Sequence, residues 1–107
     1  MGNTVDHEGG NAEQRARLAL MRRFNGDNTA VSAAMETYDG LYPSMVAYVR
    51  RELEEHMPPF LDFLYDFLDL ERLALDWIQR GRNWIVDDRA TGEVHVFLSS
   101  DPLHPSR

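Results

Sequence analysis

The residues most able to do chemistry are carboxylates in a segment otherwise rich in large apolar side chains. Residues 59–77 read PFLDFLYDFLDLERLALDW, and Asp62, Asp66, Asp69 and Asp76 recur there at separations of four, three and seven. On one continuous helix these separations place all four carboxylates on a single face. Carboxylates accept hydrogen bonds from arginine forks, as phosphates do. The pattern therefore points to recognition of a basic surface.

Metal binding and catalysis find little support in the sequence. The four histidines are scattered, and His56, four residues after Glu52, has no second histidine at the spacing of a zinc site. Asp62 and Asp66 would supply only two carboxylate ligands to a hard cation, which is a weak site. The chain has no cysteine, and no nucleophile or phosphate-cradling motif occurs in it. We therefore expect a protein that is not an enzyme and that has no metal and no cofactor.

The net charge of −7 is concentrated in the middle of the chain. Residues 36–76 hold ten acids and three arginines, whereas residues 1–35 and residues 77–107 each hold four acids and four arginines. A protein that binds nucleic acid directly needs a basic contact face, so direct binding is not expected. An acidic block of this kind indicates either a solvated surface or a basic partner.

Length and composition indicate one ordinary globular domain. The chain has 107 residues, of which 43% are apolar, and this suits a single modest core. No apolar run approaches the ~18 residues of a membrane span, and the polar N-terminal stretch does not read as a secretory signal. We therefore expect a cytoplasmic protein that does not interact with membranes.

Capping residues and apolar spacing predict three helices before residue 58. The first begins at Asn11 and ends near Phe24, before the turn signal NGDN. The second covers AVSAAMETY and ends at YDG, which breaks it. Ser44 caps the third, whose apolar stripe includes Met45, Tyr48, Val49 and Leu53, and two prolines stop it. Candidate caps for the second helix are Asp27, Asn28 and Thr29.

Residues 60–80 allow two interpretations. One is a single long helix, and the other is a short helix from Phe60 to Leu68 followed by a new helix that Asp69 caps. We favour the second because LDLERLALDWIQRG has an acidic start, an apolar stripe and Gly81 at the position after the C-cap.

After Gly81 the apolar period changes to two, which predicts a hairpin. The runs NWIVDD and EVHVFL are joined by RATG, with Val94, Val96 and Leu98 on one face and His95 and Phe97 on the other. The sequence therefore predicts an α+β fold of four or five short helices followed by a C-terminal β-hairpin, in one small acidic domain. The expected organisation is a tail at 1–10, the domain at 11–98 and a tail at 99–107.

Two stretches of the chain are similar to the C-terminal part of the ArdA antirestriction proteins. The first is YDGLYPSMVAYVRRELEE, with Tyr38, Gly40, Tyr42 and Ser44 at the family's aromatic, glycine, tyrosine and serine positions. The second is FLDLERLALDWIQRGRNWIVDDRATGEVHVFL, which resembles the family's closing helix and hairpin. Its matching positions are Phe67, Leu68, Asp69, Leu70, Glu71, Leu75, Asp76, Val94, Val96 and Phe97.

The resemblance implies a phage or mobile-element protein that imitates DNA inside a bacterial host. ArdA proteins occupy the DNA groove of type I restriction–modification enzymes with an acidic surface. This chain is shorter than the family's three-part array, so a single-module relative could instead block a CRISPR effector complex. The acids expected to contact the partner are Glu52, Glu54, Glu55, Asp62, Asp66, Asp69, Glu71 and Asp76.

Two plainer explanations remain open at this point. An acidic stripe opposite an apolar one is common on a solvated amphipathic helix. Alternatively, the chain is an interaction module that docks through the apolar surface of residues 60–68, with charge serving only solubility. Some of Phe60, Phe63, Leu64 and Phe67 could then lie in a partner contact or in a homodimer.

Overall fold

The computed structural model describes residues 11–56 and 64–103, which form an α+β fold. The two prolines that were expected to end the third helix, and Asp62, lie outside the described residues. In chain order the elements are α1 (Ala12–Arg23), α2 (Asn28–Met35), β1 (Tyr38–Tyr42), α3 (Met45–His56), α4 (Leu70–Gln79), β2 (Trp84–Asp87) and β3 (Val94–Phe97).

The three strands form one antiparallel sheet in the order β1-β3-β2. Strand β3 is central, and all four of its residues are buried. Because successive side chains of a strand point to opposite faces, a central strand buried at every position needs cover on both sides. Helices α3 and α4 cover one face of the sheet, and α1 and α2 cover the other.

The core beneath α3 and α4 is built from the β3 side chains that point to that face of the sheet and from the apolar stripes of the two helices. Val94 and Val96 pack there with Val49, Trp77 and Tyr48. The rings of Tyr48 and Trp77 meet edge to face with their centroids 6.1 Å apart, a favourable aromatic arrangement. The predicted apolar stripes of these two helices are therefore confirmed.

The core beneath α1 and α2 is centred on aromatic side chains. Trp84 of β2 and Phe97 of β3 are stacked with their ring centroids 4.5 Å apart. Leu20 and Phe24 of α1 and Val31 of α2 close over them. Burying side chains of this size stabilises the fold by about 1.5–3 kcal/mol each, which fixes α1 on the sheet.

The predicted N-caps and the predicted ends of α1 and α4 are confirmed, whereas α2 ends at Met35 and not at YDG as predicted. Asn11 caps α1 through a capping box with Gln14, and Asp27 caps α2 by accepting from the backbone N–H groups of residues 29 and 30. Ser44 Oγ accepts from the Ala47 N–H at 3.0 Å. Gly81 follows α4 with a φ of +81°, as a residue after a C-cap commonly does.

The predicted α+β fold and the predicted hairpin β2–β3 are confirmed, but the segment YDGLY, predicted only as the break between two helices, is a further strand. Tyr38 pairs with Phe97 and Tyr42 with Val94, which turns the predicted hairpin β2–β3 into a three-stranded sheet. The register shifts between Tyr38 and Gly40. Gly40 has a φ of +152°, a conformation that glycine adopts without steric cost, and it allows the strand to pass this bulge.

The segment at residues 59–77, whose aspartates would align on a single helix, is not one continuous helix. Helix α4 starts afresh at Leu70, with the Asp69 carboxylate accepting from the Arg72 N–H at 3.1 Å. Residues 64–67 form a short 3₁₀ turn, and the rest of the helix predicted from Phe60 lies outside the described residues. The single long helix is therefore wrong, and so is the single face of carboxylates that it implied.

Candidate functional site

The candidate site is the acidic layer, which we define as α3, α4 and the turn at residues 64–69. Its helices pack on the same face of the sheet and share one core. The layer brings together seven of the eight acids expected from the sequence, on two helices and a turn. These seven are Glu52, Glu54, Glu55, Asp66, Asp69, Glu71 and Asp76.

Two of the three glutamates near the C-terminal end of α3 are paired with an arginine. Arg51 lies with its guanidinium nitrogens 3.5 Å from Glu52 and 3.2 Å from Glu55. His56 Nε2 is 3.6 Å from the other carboxylate oxygen of Glu52. Glu54 is exposed and makes no ion pair with any described residue. The negative field at this end of α3 is therefore partly neutralised from within the helix.

The acids of α4 have three different roles. Asp69 caps the helix, so one of its oxygens is already engaged. Asp76 Oδ1 lies 2.7 Å from Arg80 Nε, an ion pair four residues apart on an exposed face. Glu71 is exposed in the first turn, where the helix dipole favours a carboxylate. Only Glu71 of these three is unengaged among the residues that the structure describes.

Asp66 completes the set of unengaged acids. It is exposed in the turn at residues 64–67 and makes no hydrogen bond or ion pair with another described residue. Glu54, Asp66 and Glu71 are consequently the carboxylates best placed to receive a partner's cations. Carboxylates that are already exposed and unpaired lose no internal contact when they bind.

Glu52, Glu55 and His56 also form a cluster with some metal-binding geometry. One ligand atom from each lies within 4.8 Å of the others. The Arg51 guanidinium contacts both glutamates, however, and a resident cation at that position opposes the entry of another. We therefore assign this cluster to the acidic surface and not to a metal centre.

An apolar surface lies beside the acids. Phe67 is 82% exposed, and Leu64, Leu68 and Leu75 are also exposed large side chains of the same layer. Leu75 lines a shallow groove of about 580 Å³ with Asp69 and other polar residues of α4. Leu64 and Phe67 were expected at an apolar surface from the sequence, whereas the predicted Phe60 and Phe63 lie outside the described residues. Leu75 was expected only as a family match.

The opposite face of the sheet holds a buried polar network that the sequence analysis did not predict. His95 is fully buried, and its Nδ1 is 2.9 Å from the hydroxyl of Tyr38. Its Nε2 lies 3.7 Å from Asp88 Oδ2, which also accepts from Arg15 Nε at 3.0 Å. The network thereby joins β1, β3, the β2–β3 turn and α1.

Burial and the neighbouring charges shift the pKa values of this network. Burial lowers the pKa of His95 and outweighs the opposing attraction of Asp88. Burial alone would raise the pKa of Asp88, but hydrogen bonds from Arg15 and from the Ala90 N–H hold that pKa below its ordinary value. Burial, followed by the charge of Asp88, raises the pKa of Tyr38 to about 12. The network therefore pairs a neutral imidazole with an ionised carboxylate at neutral pH.

Alternation along β3 was the available signal for this network. It placed His95 on the same face as Phe97, which is a core position. The partners were beyond the reach of sequence spacing because Arg15 is 73 residues from Asp88 and Tyr38 is 57 residues from His95. The imidazole of His95 is fully buried, whereas Arg15 and Asp88 of the network also line a cavity between α1 and the turn after β2.

Arginines are prominent on the face of α1. A cavity of about 220 Å³ lies between α1 and the turn after β2, lined in part by Arg22, Arg89 and Leu18. An adjacent groove of about 520 Å³ is also lined by Arg22 and Arg89. It is lined in addition by Arg23, which pairs with Asp101. The two faces of the molecule consequently present different charge.

Comparisons with protein-family models, with curated proteins and with solved structures found no match. Within the described ranges, no helix is long and apolar enough to cross a membrane.

Proposed function

We propose that this protein inhibits a bacterial defence complex by occupying its DNA-binding site with the acidic layer. The expected targets are a type I restriction–modification enzyme or a CRISPR effector complex, as the similarity of residues 36–98 to ArdA proteins implies. The inhibitor would act without catalysis and without touching nucleic acid. Its origin would be a phage or another mobile element, and it would work in the cytoplasm of the bacterial host.

The observation that carries the proposal is the opposite charge of the two helical layers. In the acidic layer, residues 45–56 and 64–80 hold seven acids and four arginines, a formal charge of −3. On the other face of the sheet, residues 11–36 hold three acids and four arginines, a formal charge of +1, and two of these arginines, Arg15 and Arg23, are paired with Asp88 and Asp101. Such a charge dipole favours approach to a basic groove with the acidic layer leading.

The exposed carboxylates supply the chemistry for such a groove. Arginine and lysine side chains that bind DNA phosphates also bind carboxylates through charge-assisted hydrogen bonds. Glu54, Asp66 and Glu71 would make the first contacts, since their carboxylates are unengaged within the described residues. Glu52, Glu55 and Asp76 would contribute after exchanging their present arginine partners for those of the target, and Asp69 would contribute through its outer oxygen. Asp62 stays part of the proposal from its position in the sequence.

The proposal is tested by displacement of DNA from a purified target. A type I restriction–modification enzyme and a CRISPR effector complex are each loaded with fluorescein-labelled duplex, and the protein is titrated in while anisotropy is followed. We expect the wild-type protein to release the duplex from one of them. The double charge reversal Glu54→Arg with Asp66→Arg should weaken this inhibition by about 100-fold or more, since two favourable contacts become repulsive.

A matched control comes from the opposite layer. Glu13 and Glu36 are exposed acids of α1 and of the α2 C-terminus, so Glu13→Arg with Glu36→Arg changes the net charge by the same amount. This control should inhibit nearly as well as the wild type. Equal losses in both double variants would show that only total charge matters, and release of DNA from neither target would refute the proposal for these two enzymes.

A second candidate function is a non-enzymatic interaction module that docks through apolar side chains alone. The 82% exposure of Phe67 favours it. Such a module would keep its affinity when salt is raised, because burial of apolar surface is not screened. A DNA mimic would lose affinity steeply over the same range of salt. A salt titration of the same complex therefore separates the two functions.

A further inference from the structure

We propose that the partner's groove also presents an apolar side chain flanked by basic ones, and that the exposed apolar residues of the acidic layer bind it. This inference rests on the proposed function and specifies the chemistry of the target surface. It differs from docking through apolar side chains alone because it requires both kinds of contact at once.

A groove lies on the exposed side of α4. Leu75 is 54% exposed and lines this groove together with Asp69, Glu71 and Asp76. Arg72 is the only basic residue of its lining, so the groove has a formal charge of −2. An apolar side chain within an acidic rim matches a partner that carries a leucine-like side chain between arginines or lysines.

The turn before α4 carries further exposed apolar side chains, next in sequence to the groove residue Asp69. Phe67 and Leu68 directly precede the cap residue Asp69, and both are exposed, as is Leu64 one turn earlier. Large exposed apolar side chains cost solubility unless they have a partner. Helix α4 keeps its own apolar stripe buried with Ala74 and Trp77, so these side chains are not needed for the core.

Nucleic acid does not satisfy this combination. An acidic rim repels phosphates, so the partner's cations must come from protein side chains. Protein interfaces place aromatic anchors in the interior of a contact and charged residues at the rim. Phe67 as the anchor and the acids as the rim fit that arrangement. The partner is therefore a protein, and its groove presents both basic and apolar side chains to the acidic layer.

The experiment uses two synthetic helical peptides of equal length and equal arginine content as probes. One peptide carries a leucine stripe between its arginines, and in the other each leucine is replaced by glutamine. Fluorescence anisotropy measures binding of each labelled peptide to the full chain at low salt. We expect the leucine peptide to bind about tenfold tighter or more, because the apolar contact adds to the charge attraction.

Variants locate that difference on the surface. Phe67→Ser and Leu75→Gln should each reduce the advantage of the leucine peptide by about threefold or more, while the glutamine peptide binds as before. Leu18→Ser is the matched control, because Leu18 is 51% exposed on α1, on the opposite face of the sheet. This variant should retain the full advantage of the leucine peptide.

The outcomes separate the two proposals. Equal, salt-sensitive binding of both peptides overturns the apolar contact and leaves the acidic mimic standing. An equal loss in the Leu18 variant and the Phe67 variant also overturns the apolar contact. If neither peptide binds at low salt, both proposals are overturned, since an acidic layer that attracts no arginine-rich helix could not replace DNA.

Discussion

The two faces of the sheet use charged residues for opposite purposes. On one face, Asp88 is 97% buried and pairs with Arg15 of α1, next to a fully buried His95. On the other face, Asp76 and Arg80 form a pair of the same chemical type in solvent. A buried charge that loses its partner is left uncompensated in a region of low dielectric, whereas an exposed one is hydrated.

This difference separates stability from recognition. The network around Asp88 joins four elements of the fold, so its charges cannot be offered to a partner. The acids of α3 and α4 sit on helices already anchored by the core of Val49 and Trp77. They can therefore be changed with little effect on folding.

Removal of the buried carboxylate should have the largest effect. Asp88→Ala removes the buried carboxylate that accepts hydrogen bonds from Arg15 Nε and from the Ala90 N–H. We expect the free energy of unfolding to fall by about 2–4 kcal/mol, measured by urea denaturation. The control Asp76→Ala removes a carboxylate from the exposed pair and should change stability little. Equal losses of unfolding free energy in the two variants would contradict the different roles of charged residues on the two faces.

The pH dependence of stability should come from His95. Because burial lowers the pKa of His95, the unfolded chain takes up a proton near pH 6.5 while the folded chain does not. The unfolded state then binds more protons, so stability is full above pH 6.5 and declines as the pH falls below it. We expect the free energy of unfolding, measured by urea denaturation, to decline as the pH falls below about 6.5, by at most about 1.4 kcal/mol per pH unit for one proton.

A pair of histidine variants tests the origin of that decline. His95→Gln should flatten the decline, even though the variant itself is less stable at neutral pH. His56→Gln removes an exposed imidazole and should leave the decline unchanged. A decline that persists unaltered in His95→Gln would contradict the assignment.

The hydroxyl of Tyr38 should matter less than the carboxylate of Asp88. Tyr38→Phe keeps the ring packed against Phe97 and removes one hydrogen bond to His95 Nδ1. We expect a loss of about 1 kcal/mol in the free energy of unfolding, since a neutral hydrogen bond contributes about that much. A loss of unfolding free energy as large as that of Asp88→Ala would mean that the imidazole, and not the ion pair, contributes most of the network's stabilisation.

Charge reversal in the acidic layer should have the smallest effect on folding. Glu54→Arg places a cation near the C-terminal end of α3, where the helix dipole favours it. We expect the free energy of unfolding to change by less than about 0.5 kcal/mol in urea. A destabilisation as large as that of Asp88→Ala would show that the surface acids are structural and would sharpen the case against a binding role.

Much of the fold could be predicted because its signals are local. Asn11, Ser44 and Asp69 cap helices through contacts with residues three positions away, and Gly81 ends α4 within one turn. Such contacts depend on a few neighbouring residues, so a short stretch of sequence encodes them. The pairing of Arg51 with Glu55 follows the same rule of spacing on a helix.

The parts that the sequence did not predict depend on distant partners. Tyr38 and Gly40 look like a helix break until they pair with Phe97 and Val96 of β3, far later in the chain. The burial of His95 likewise depends on α1 covering the sheet. For the candidate site, composition located the acidic region, but the fresh start of α4 decided which carboxylates share a surface.

The most direct test of the central claim is whether the target can hold DNA and this protein at the same time. A type I restriction–modification enzyme or a CRISPR effector complex is saturated with labelled duplex, the protein is added with a second label, and both are followed by sedimentation. The account predicts mutually exclusive binding, with the protein's affinity falling steeply as salt rises. A stable complex that contains both ligands, or an affinity indifferent to salt, would contradict it.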